Sequence, residues 1–497
     1  MAGTINKLIA LLALSYYQCQ CQCIEVKDEY YPRYHLAPPY GWMNDPNGFS
    51  KFRNEYHLFY QHNPYSSQKP GNVHWGHAKS KDLVHWEHLP IALFPDQWYD
   101  KNGVFSGSAL VDNDTMYLYY TSNLDHPGQT PDHEQHQALA TSTDGLNFKK
   151  YEQNPIIAGA DLQPNIRDPK VWEHNNKFYM VLGHSINGTD GEALLFTSDD
   201  KIQWTQASTL LQSNGSLGFM FECPDFFELN GKFVLLFSPQ GIKAEGDKYN
   251  NLYQTGYVVG DFDYATNEFT PLTEFKELDH GHDFYATQTI DDHGKRIMVA
   301  WMDMWDNVYP ERADGFAGLM TVPRVLTLDR QLNIVQKPIR QHAHRHHALH
   351  QPGPPHADAA LELPDKTAEI SIRAQKDSAV DVVIAQKDAT DEDYTSVRIH
   401  YDPVNGTVTL DRQGADSVRR TQWRPEGRYL TWKILVDASS VELFCGSGEV
   451  TFSSRFFPRG KVTVSTETSI RRHSSVRISP VQRTVPEPNS QQQCSAY

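Results

Sequence analysis

The chain has 497 residues, of which 39% are apolar and 12% aromatic, so it can bury substantial cores and exceeds the size of one ordinary domain. Its formal net charge of -16 and isoelectric point near 5.8 argue against a general affinity for nucleic acids or anionic membranes, which require a basic surface. We therefore expect two domains, a neutral small-molecule substrate, no nucleic-acid partner and no membrane partner.

The first 24 residues resemble a secretory signal peptide. A single Lys7 precedes an apolar run from Leu8 to Leu14, which is too short to span a bilayer. The pattern predicts a secreted, extracellular protein, and the alternative is a disordered N-terminal tail. Acceptor sequences for N-glycosylation, usable only on a secretory route, begin at Asn113, Asn187, Asn214 and Asn405.

Residues 30–340 contain five copies of one pattern, in which an apolar strand, a polar turn and a second apolar strand follow one another. The turns are spaced by roughly 60 residues and centre on Asn54, Asn113, Asn176, Asn230 and His293. Repeated antiparallel sheets of this size are typical of a β-propeller, because each blade buries both faces against its neighbours. The repeats predict five blades, and the alternative is a large β-sandwich with fortuitous hairpin spacing.

A histidine- and proline-rich stretch at 341–360 follows the repeats and is typical of a linker. Residues 361–485 then alternate apolar and polar side chains with period two, which predicts a second all-β domain, a β-sandwich. The six cysteines have neither a disulfide-framework spacing nor a zinc-ligand spacing, so we expect no structural metal.

Acidic residues precede three of the five repeats at similar offsets. Asp45, Asp168 and Glu222 each lie about eight or nine residues before the turn of their repeat, and Ser106 and Asp283 hold comparable offsets in the second and fifth copies. Equivalent positions at the start of inner propeller strands surround the central channel. The sequence therefore predicts that three acids converge in one pocket, the alternative for each being a solvated surface charge.

Converging carboxylates are the groups that glycoside hydrolysis uses, since one acid protonates the leaving oxygen and another attacks or activates water. Glu222 lies between Phe221 and Cys223, with further phenylalanines nearby. Apolar surroundings disfavour the charged form of a carboxyl group. This neighbourhood predicts that Glu222 is the proton donor.

The other two acids have polar neighbours in the sequence. Asp45 is flanked by Asn44 and Asn47, whose amides could hydrogen-bond a carboxylate and keep it ionised as a nucleophile. Arg167 precedes Asp168 and is expected to hold it charged. A charged Asp168 is better suited to binding sugar hydroxyls than to proton transfer.

The segments that contain these acids resemble motifs of glycoside hydrolase family 32, the invertases, inulinases and levanases. The resemblance extends from about Tyr34 to Ile478. The matching segments are Trp42–Gly48, Gln61–Pro64, Trp75–Ala78, Phe105–Ser108, Arg167–Pro169, Glu222–Asp225, Asp283–Ala286 and Val441–Phe444.

This resemblance implies a five-bladed propeller followed by a β-sandwich, and a β-fructofuranosidase that acts with retention and without a cofactor on a small carbohydrate, most simply sucrose. Asp45 would be the nucleophile, Glu222 the acid/base and Asp168 the transition-state stabiliser. Residues expected to contact the sugar or tune the acids are Trp42, Asn44, Gln61, Phe105, Ser106, Arg167, Asp283 and Trp301. A core position is the alternative for Trp301.

The chain departs from the family pattern on the leaving-group side, where Lys69 or Pro70 stands at the place of an expected tryptophan. A sucrose-6-phosphate hydrolase would share every catalytic motif, and Lys69 could meet its phosphate. Fructan hydrolysis and fructosyl transfer use the same intermediate. The alternatives from other classes are a non-catalytic sugar-binding propeller and a five-bladed arabinan-degrading enzyme.

Overall fold

The computed structural model describes residues 24–339, 360–387, 394–414, 416–468 and 475–488. These residues form five sheets arranged as a propeller and two sheets arranged as a sandwich, so the predicted all-β fold is confirmed. The segments predicted as signal peptide and linker lie outside the described residues, apart from Ile24 and Ala360. Within the described part, no helix has the length and apolar character needed to cross a membrane.

The first two blades are antiparallel sheets whose strands pair in chain order. The first contains β1 (Gly41–Phe52), β2 (Glu55–Asn63), β3 (His74–Ser80) and β4 (Trp86–Leu93). The second contains β5 (Val104–Asp112), β6 (Thr115–Asp125), β7 (His133–Ser142) and β8 (Lys149–Lys150). The first strand of the second blade, β5, therefore lies at one edge of its sheet, whereas β1 has a further partner besides β2.

The third and fourth blades repeat this arrangement, with a short 3-10 helix (Ala160–Leu162) before the third. The third contains β9 (Ile166–His174), β10 (Lys177–Ile186), β11 (Asp190–Ser198) and β12 (Thr205–Gln212). The fourth contains β13 (Met220–Leu229), β14 (Lys232–Gln240), β15 (Gly256–Asp263), β16 (Glu268–Pro271) and β17 (Lys276–Glu277). Both β16 and β17 pair with β15.

The fifth blade is interrupted by a segment that returns to the first. Its elements in chain order are β18 (Tyr285–Asp292), β19 (Lys295–Trp301), a 3-10 helix (Pro310–Asp314), β20 (Phe316–Ala317), β21 (Arg324–Leu328) and β22 (Ile334–Pro338). Strands β18, β19, β21 and β22 form the fifth sheet, whereas β20 pairs in parallel with β1. Around the axis, the inner strands contact one another in the order β1, β5, β9, β13, β18 and back to β1.

Consecutive apolar residues in the repeats pack against different blades. On β6, Leu118 and Tyr120 belong to a buried cluster with Phe59 of the first blade, whereas Tyr119 packs with Met180 of the third. Side chains alternate across a strand, and in a propeller both faces are covered, so both sets are apolar. Each such side chain contributes about 1.5–3 kcal/mol through burial.

The C-terminal domain is a sandwich of a six-stranded and a five-stranded sheet. A 3-10 helix (Pro364–Lys366) follows its first strand. The six-stranded sheet contains β23 (Leu361–Leu363), β25 (Val380–Gln386), β26 (Ser396–Asp402), β27 (Thr407–Asp411), β28 (Val418–Gln422) and β32 (Val462–Thr468). The five-stranded sheet contains β24 (Ala368–Gln375), β29 (Tyr429–Asp437), β30 (Ser440–Cys445), β31 (Val450–Arg455) and β33 (Ser475–Ser479). One apolar cluster fills the space between them.

Buried charges join the two domains. His35 lies between Asp437 and Glu442 of the sandwich, with Nδ1 and Nε2 at 2.8 and 2.7 Å from carboxylate oxygens. Burial alone would lower the pKa of His35, but these two acids raise it to about 9. Arg324 of the fifth blade donates to Glu442 and, at 3.1 Å, to Asp279. Because unpaired buried charges are costly, these pairs fix how the domains dock.

Candidate active site

Each inner strand of the propeller contains a β-bulge near its beginning. The register with the adjacent strand shifts at residues 43–46, 104–107, 167–170, 222–225 and 285–287. A bulge leaves residues unpaired and redirects side chains. Asp45, Ser106 and Asp168 lie inside these bulges and Glu222 borders one, so side chains from four blades line one cavity.

The carboxylate of Asp45 is almost fully buried and held on both oxygens. Asn44 Nδ2 donates to Oδ1 at 3.1 Å, and Ser106 Oγ donates to Oδ2 at 2.7 Å. The Cys223 thiol lies 3.4 Å from the same Oδ2. Asn47 instead accepts a hydrogen bond from Gly107 N, so only one of the two predicted asparagines contacts the acid.

The pKa of Asp45 is raised above its ordinary value, first by burial and second by the charge of Glu222. Hydrogen bonds from Ser106, Asn44 and Cys223 lower it and offset part of this effect. Neighbouring amides were expected to keep Asp45 ionised. The Asn44 amide does lower the pKa of Asp45, but burial and Glu222 raise it by more.

Asp168 lies beside Asp45 in a strained backbone conformation. Its φ of 66° is in the left-handed region, and Cys223, whose amide N donates to Asp168 Oδ2 at 2.9 Å, has a φ of 47°. The Cys223 thiol is 3.7 Å from the same oxygen, so Cys223 contacts both aspartates. Thr121 Oγ1 accepts from the Asp168 amide at 2.9 Å and fixes the bulge.

Burial and the charge of Glu222 raise the pKa of Asp168 to about 7. Arg167 lowers it, but by less than burial raises it. The prediction that Arg167 holds Asp168 charged is therefore wrong. The guanidinium is directed at Glu222 of the next blade, and burial raises the pKa of Asp168 by more than Arg167 lowers it.

Glu222 accepts hydrogen bonds on both carboxylate oxygens. Arg167 donates to Oε1 from Nε at 3.0 Å and from Nη2 at 2.9 Å. Gln240 Nε2 donates to Oε2 at 2.9 Å, and Tyr285 OH donates to the same oxygen at 2.6 Å. The apolar setting expected from the sequence is wrong, because Phe221 points into the core while the Glu222 carboxylate faces these polar groups.

These acids lie in a cavity of about 640 Å³, which is within the range of small-molecule sites. Of the predicted residues, the cavity is lined by Asn44, Asp45, Gln61, Phe105, Ser106, Arg167, Asp168 and Glu222. The lining also includes residues without a signal in the sequence, among them Asn123, Asp125, Asp132, His133, Gln135, Asn165 and Trp305.

Three predicted sugar contacts lie outside the cavity lining. Asp283 is fully buried and accepts hydrogen bonds from Asn307 and Tyr309, and from Arg412 of the sandwich. It lies just before β18, whose bulge begins at Tyr285, so the repeat offset that selected Asp283 was two residues too long. Tyr285 is the residue of the fifth blade that contacts Glu222.

Trp42 and Trp301 are also buried behind the cavity. Trp42 Nε1 donates to Asn44 Oδ1 at 2.9 Å, and its ring stacks on Trp305 with centroids 6.3 Å apart. Trp301 is fully buried and packs edge-on against Trp305, so the core alternative holds for Trp301. The tryptophan that lines the cavity is Trp305.

Two of the residues that contact the acids carried no clear sequence signal. Gln240 ends β14 in a polar stretch that resembles many others. Tyr285 lies within the matching segment Asp283–Ala286. Only the position of the bulge in β18 shows that Tyr285, and not Asp283, contacts Glu222.

The arrangement suits acid and nucleophile chemistry at one centre. One buried aspartate is oriented on both oxygens, a second lies beside it, and a glutamate stands opposite, held by a cation and two neutral donors. Glu222 raises the pKa of both aspartates and Asp45 raises that of Asp168, so the protonation of each aspartate depends on its acidic neighbours. Two carboxyl groups in different environments are the requirement of glycoside hydrolysis.

Comparisons with known proteins match the whole of this architecture. Models of the glycosyl hydrolases family 32 N-terminal domain and C terminal match residues 35–338 and 335–482. A sucrose-6-phosphate hydrolase and a raffinose invertase, both from Escherichia coli, are 37% and 36% identical; each alignment covers 86% of this chain and 90% of the relative. The Bombyx mori GH32 beta-fructofuranosidase BmSUC1, solved as a mutant in complex with sucrose, is 40% identical with a TM-score of 0.85, covering 93% of this chain and 96% of that one. The chain belongs to glycosyl hydrolase family 32.

Proposed function

We propose that this family member is a secreted β-fructofuranosidase that hydrolyses terminal β-D-fructofuranosides with retention, and that its substrate is sucrose. The observation that carries the proposal is the convergence of Asp45, Asp168 and Glu222 from three blades on one cavity. Family membership and the sucrose complex of the Bombyx mori enzyme support a sucrose-type substrate.

In the proposed first step, Asp45 attacks the anomeric carbon of the fructosyl unit while Glu222 gives its proton to the leaving glycosyl oxygen. The bond to glucose breaks, and a fructosyl ester forms on Asp45. Water then attacks the same carbon, Glu222 takes its proton, and free fructose leaves with Asp45 restored. Asp168 is suited to bind fructose hydroxyls and stabilise the oxocarbenium-like transition state.

Hydrogen bonds support this division of roles. Ser106 and Asn44 orient Asp45, which reduces the cost of placing it for attack. Arg167 donates to one oxygen of Glu222 and Tyr285 to the other, so the carboxylate is held at both oxygens. A preoriented carboxyl group can serve in both half-reactions without reorganising.

The direct competitor is sucrose 6-phosphate, because relatives of this chain include sucrose-6-phosphate hydrolases. The residues lining the cavity favour the neutral sugar, since Asp125 and Asp132 add two acids to the three of the site. The basic side chains of the lining already have acidic partners, Arg167 in Glu222 and His133 in Asp132 at 2.7 Å. A phosphate dianion would meet uncompensated negative charge.

Lys69 does not supply the missing cation. It is exposed and is not among the residues that line the cavity, whereas the adjacent Pro70 and Gly71 are. Its backbone carbonyl accepts a hydrogen bond from Asn63 Nδ2 at 3.0 Å. The interpretation of Lys69 as a phosphate ligand is therefore not part of the proposal.

Secretion is proposed from the signal-like N-terminus and is supported by the acceptor sequences for glycosylation. All four asparagines, at positions 113, 187, 214 and 405, are exposed. Three of them, Asn113, Asn187 and Asn214, have positive φ values typical of turns. Glycans at these positions would not disturb the buried cores.

The deciding experiment measures release of glucose and fructose from sucrose, sucrose 6-phosphate, raffinose, inulin and maltose, with Asp45→Ala as the control for contaminating activity. Cleavage of sucrose and raffinose but not maltose is expected, with equal glucose and fructose from sucrose. An excess of glucose over fructose would show transfer, and preference for the phosphate ester would overturn the substrate assignment. In methanol, the expected product is methyl β-fructofuranoside, and the α-anomer would contradict retention.

A further inference from the structure

Trp305, the tryptophan that lines the cavity, is carried on a tight turn. The amide N of Asn307 donates to the carbonyl of Met304 at 3.2 Å, and Asp306 within this turn has a φ of 69°. We call residues 304–307 the Trp305 turn. Because Trp305 is only partly buried, its position depends on how the ends of this turn are held.

The end of the Trp305 turn is attached to a buried carboxylate. Asn307 Nδ2 donates to Asp283 Oδ1 at 3.2 Å and to Tyr309 OH at 2.8 Å. Tyr309 OH donates to the same Asp283 oxygen at 2.6 Å. Asp283 is fully buried and Tyr309 nearly so, so these hydrogen bonds do not compete with water.

The other oxygen of Asp283 belongs to the sandwich domain. Arg412, the residue after β27, donates from Nη1 to Asp283 Oδ2 at 2.6 Å and to Tyr309 OH at 2.7 Å. The amide N of Arg455 donates to the same carboxylate oxygen at 2.7 Å. Arg412 is 2% exposed although it crosses from one domain to the other. Its charge therefore neutralises a carboxylate that would otherwise be costly to bury.

The same turn also contacts the side chains that orient the nucleophile. Arg312 donates to the Asn307 carbonyl, and its guanidinium lies 4.8 Å from the ring centre of Trp42. Trp42 stacks on Trp305 and donates to Asn44, which in turn donates to Asp45. Contacts thus run without interruption from the sandwich to the nucleophile.

We propose that the sandwich domain positions the aromatic wall of the active site, which Trp305 forms with Trp42 stacked behind it. Arg412 is then a positioning residue that holds the Trp305 turn through Asp283. The expected effect on KM rests on the proposed function. The expected effect on the structure of the Trp305 turn is independent of it. The sandwich then contributes to substrate binding without lining the cavity.

The test compares Arg412→Gln with Lys433→Met. Lys433 is the control, because it is a half-buried cation of the sandwich whose ion pair with Glu369, at 3.1 Å, lies within the five-stranded sheet. In Arg412→Gln, hydrogen–deuterium exchange is expected to become about tenfold faster in residues 302–315. Lys433→Met is expected to leave exchange in that segment unchanged. Unchanged exchange in Arg412→Gln, or equal acceleration in both variants, would overturn the proposal.

The kinetic arm uses sucrose. Arg412→Gln is expected to raise KM about tenfold while kcat stays within about threefold, because Trp305 is displaced whereas Asp45 keeps its hydrogen bond from Ser106 of the second blade. In a Trp305→Ala background, Arg412→Gln should have no further effect on KM, and multiplicative effects would contradict action through Trp305. If Arg412→Gln does not fold, Asn307→Ala breaks the same chain of hydrogen bonds at a less buried position. If the wild-type protein were inactive on every fructoside, the proposed function would be wrong. The exchange measurements would still show whether Arg412 holds the Trp305 turn.

Discussion

Arg167 donates two hydrogen bonds to one oxygen of Glu222, across the boundary between the third and fourth blades. It thereby orients the proposed acid/base and does not serve mainly as the counterion of Asp168, its neighbour in the sequence. Because both donors meet Oε1, the direction of the carboxylate is fixed together with the hydrogen bonds that Gln240 and Tyr285 donate to Oε2.

We expect Arg167→Met to lower kcat for sucrose by about 10²–10³-fold, because Glu222 loses two of its four hydrogen bonds. Arg167→Lys keeps the charge but not the paired geometry, and should restore only a small part of the activity. Steady-state kinetics check both variants. Near-normal kcat in Arg167→Lys would mean that charge alone matters.

Removal of either proposed catalytic carboxyl group should abolish turnover. Asp45→Ala and Glu222→Ala are each expected to lower kcat by about 10⁴-fold or more while leaving the fold intact, because each removes a chemical step. Circular dichroism checks the fold and glucose release the activity. With a β-fructofuranoside whose leaving group departs without protonation, such as a p-nitrophenyl fructoside, azide should restore turnover to Glu222→Ala by attacking the fructosyl ester in place of the activated water. Near-normal activity of Asp45→Ala would refute the double displacement.

Replacement of Ser106 should change the pH dependence. The Ser106 hydrogen bond lowers the pKa of Asp45, which burial and Glu222 raise, so Ser106→Ala should raise that pKa further. Asp45 attacks in its deprotonated form, and the acid limb of kcat/KM is therefore expected to move up by about one pH unit. Ser108→Ala is the control on the same strand, since Ser108 accepts from Val171 N instead. An acid limb that moves down would contradict the assignment.

Asp168 is expected to cost stability at alkaline pH. Its folded pKa of about 7 is above the ordinary value of 3.8, so the folded state favours the protonated form and loses stability as pH rises through about 7. Asp168→Asn should therefore be inactive yet more stable than the wild type at pH 8.5, by about 1–3 kcal/mol, and the difference should disappear near pH 4. Thermal unfolding at several pH values measures it. A pH-independent difference would show that the charge of Asp168 is not responsible.

Asp125 and Asp132 of the cavity lining should determine how strongly the site disfavours sucrose 6-phosphate relative to sucrose. Asp132→Lys is expected to raise kcat/KM for sucrose 6-phosphate about tenfold relative to sucrose at low ionic strength, with a smaller gain in 0.5 M salt. Glu268→Lys makes the same charge change at an exposed position on β16 and serves as the control. Equal gains in the two variants would attribute the effect to net charge alone.

The fold was predictable from the sequence because the strand pairs repeat. Runs such as Met116–Tyr120 are apolar at successive positions, which a propeller requires since adjacent blades cover both faces of each sheet. The same repeats located Asp45, Ser106, Asp168 and Glu222, because each begins an inner strand.

The details of the site could not be predicted, since they depend on β-bulges and on contacts between blades. The bulge of β18 falls at residues 285–287, so Tyr285 faces Glu222 and Asp283 faces the sandwich. Nothing in the local sequence indicates that Arg167 is directed away from Asp168. Ionisation likewise depends on burial, which outweighs the polar neighbours of Asp45.

The pairing of β20 with β1 affects how the chain is made as well as how it is held. Gly41 and Trp42 at the start of the first blade find their partners in Phe316 and Ala317, which leave the ribosome only after most of the propeller has been synthesised. Since domains fold as units, β1 of the first blade lacks its partner on one side until β20 has been synthesised. The nucleophile of the first blade thus acquires its final surroundings only when the last blade has emerged, which couples completion of the active site to completion of the ring.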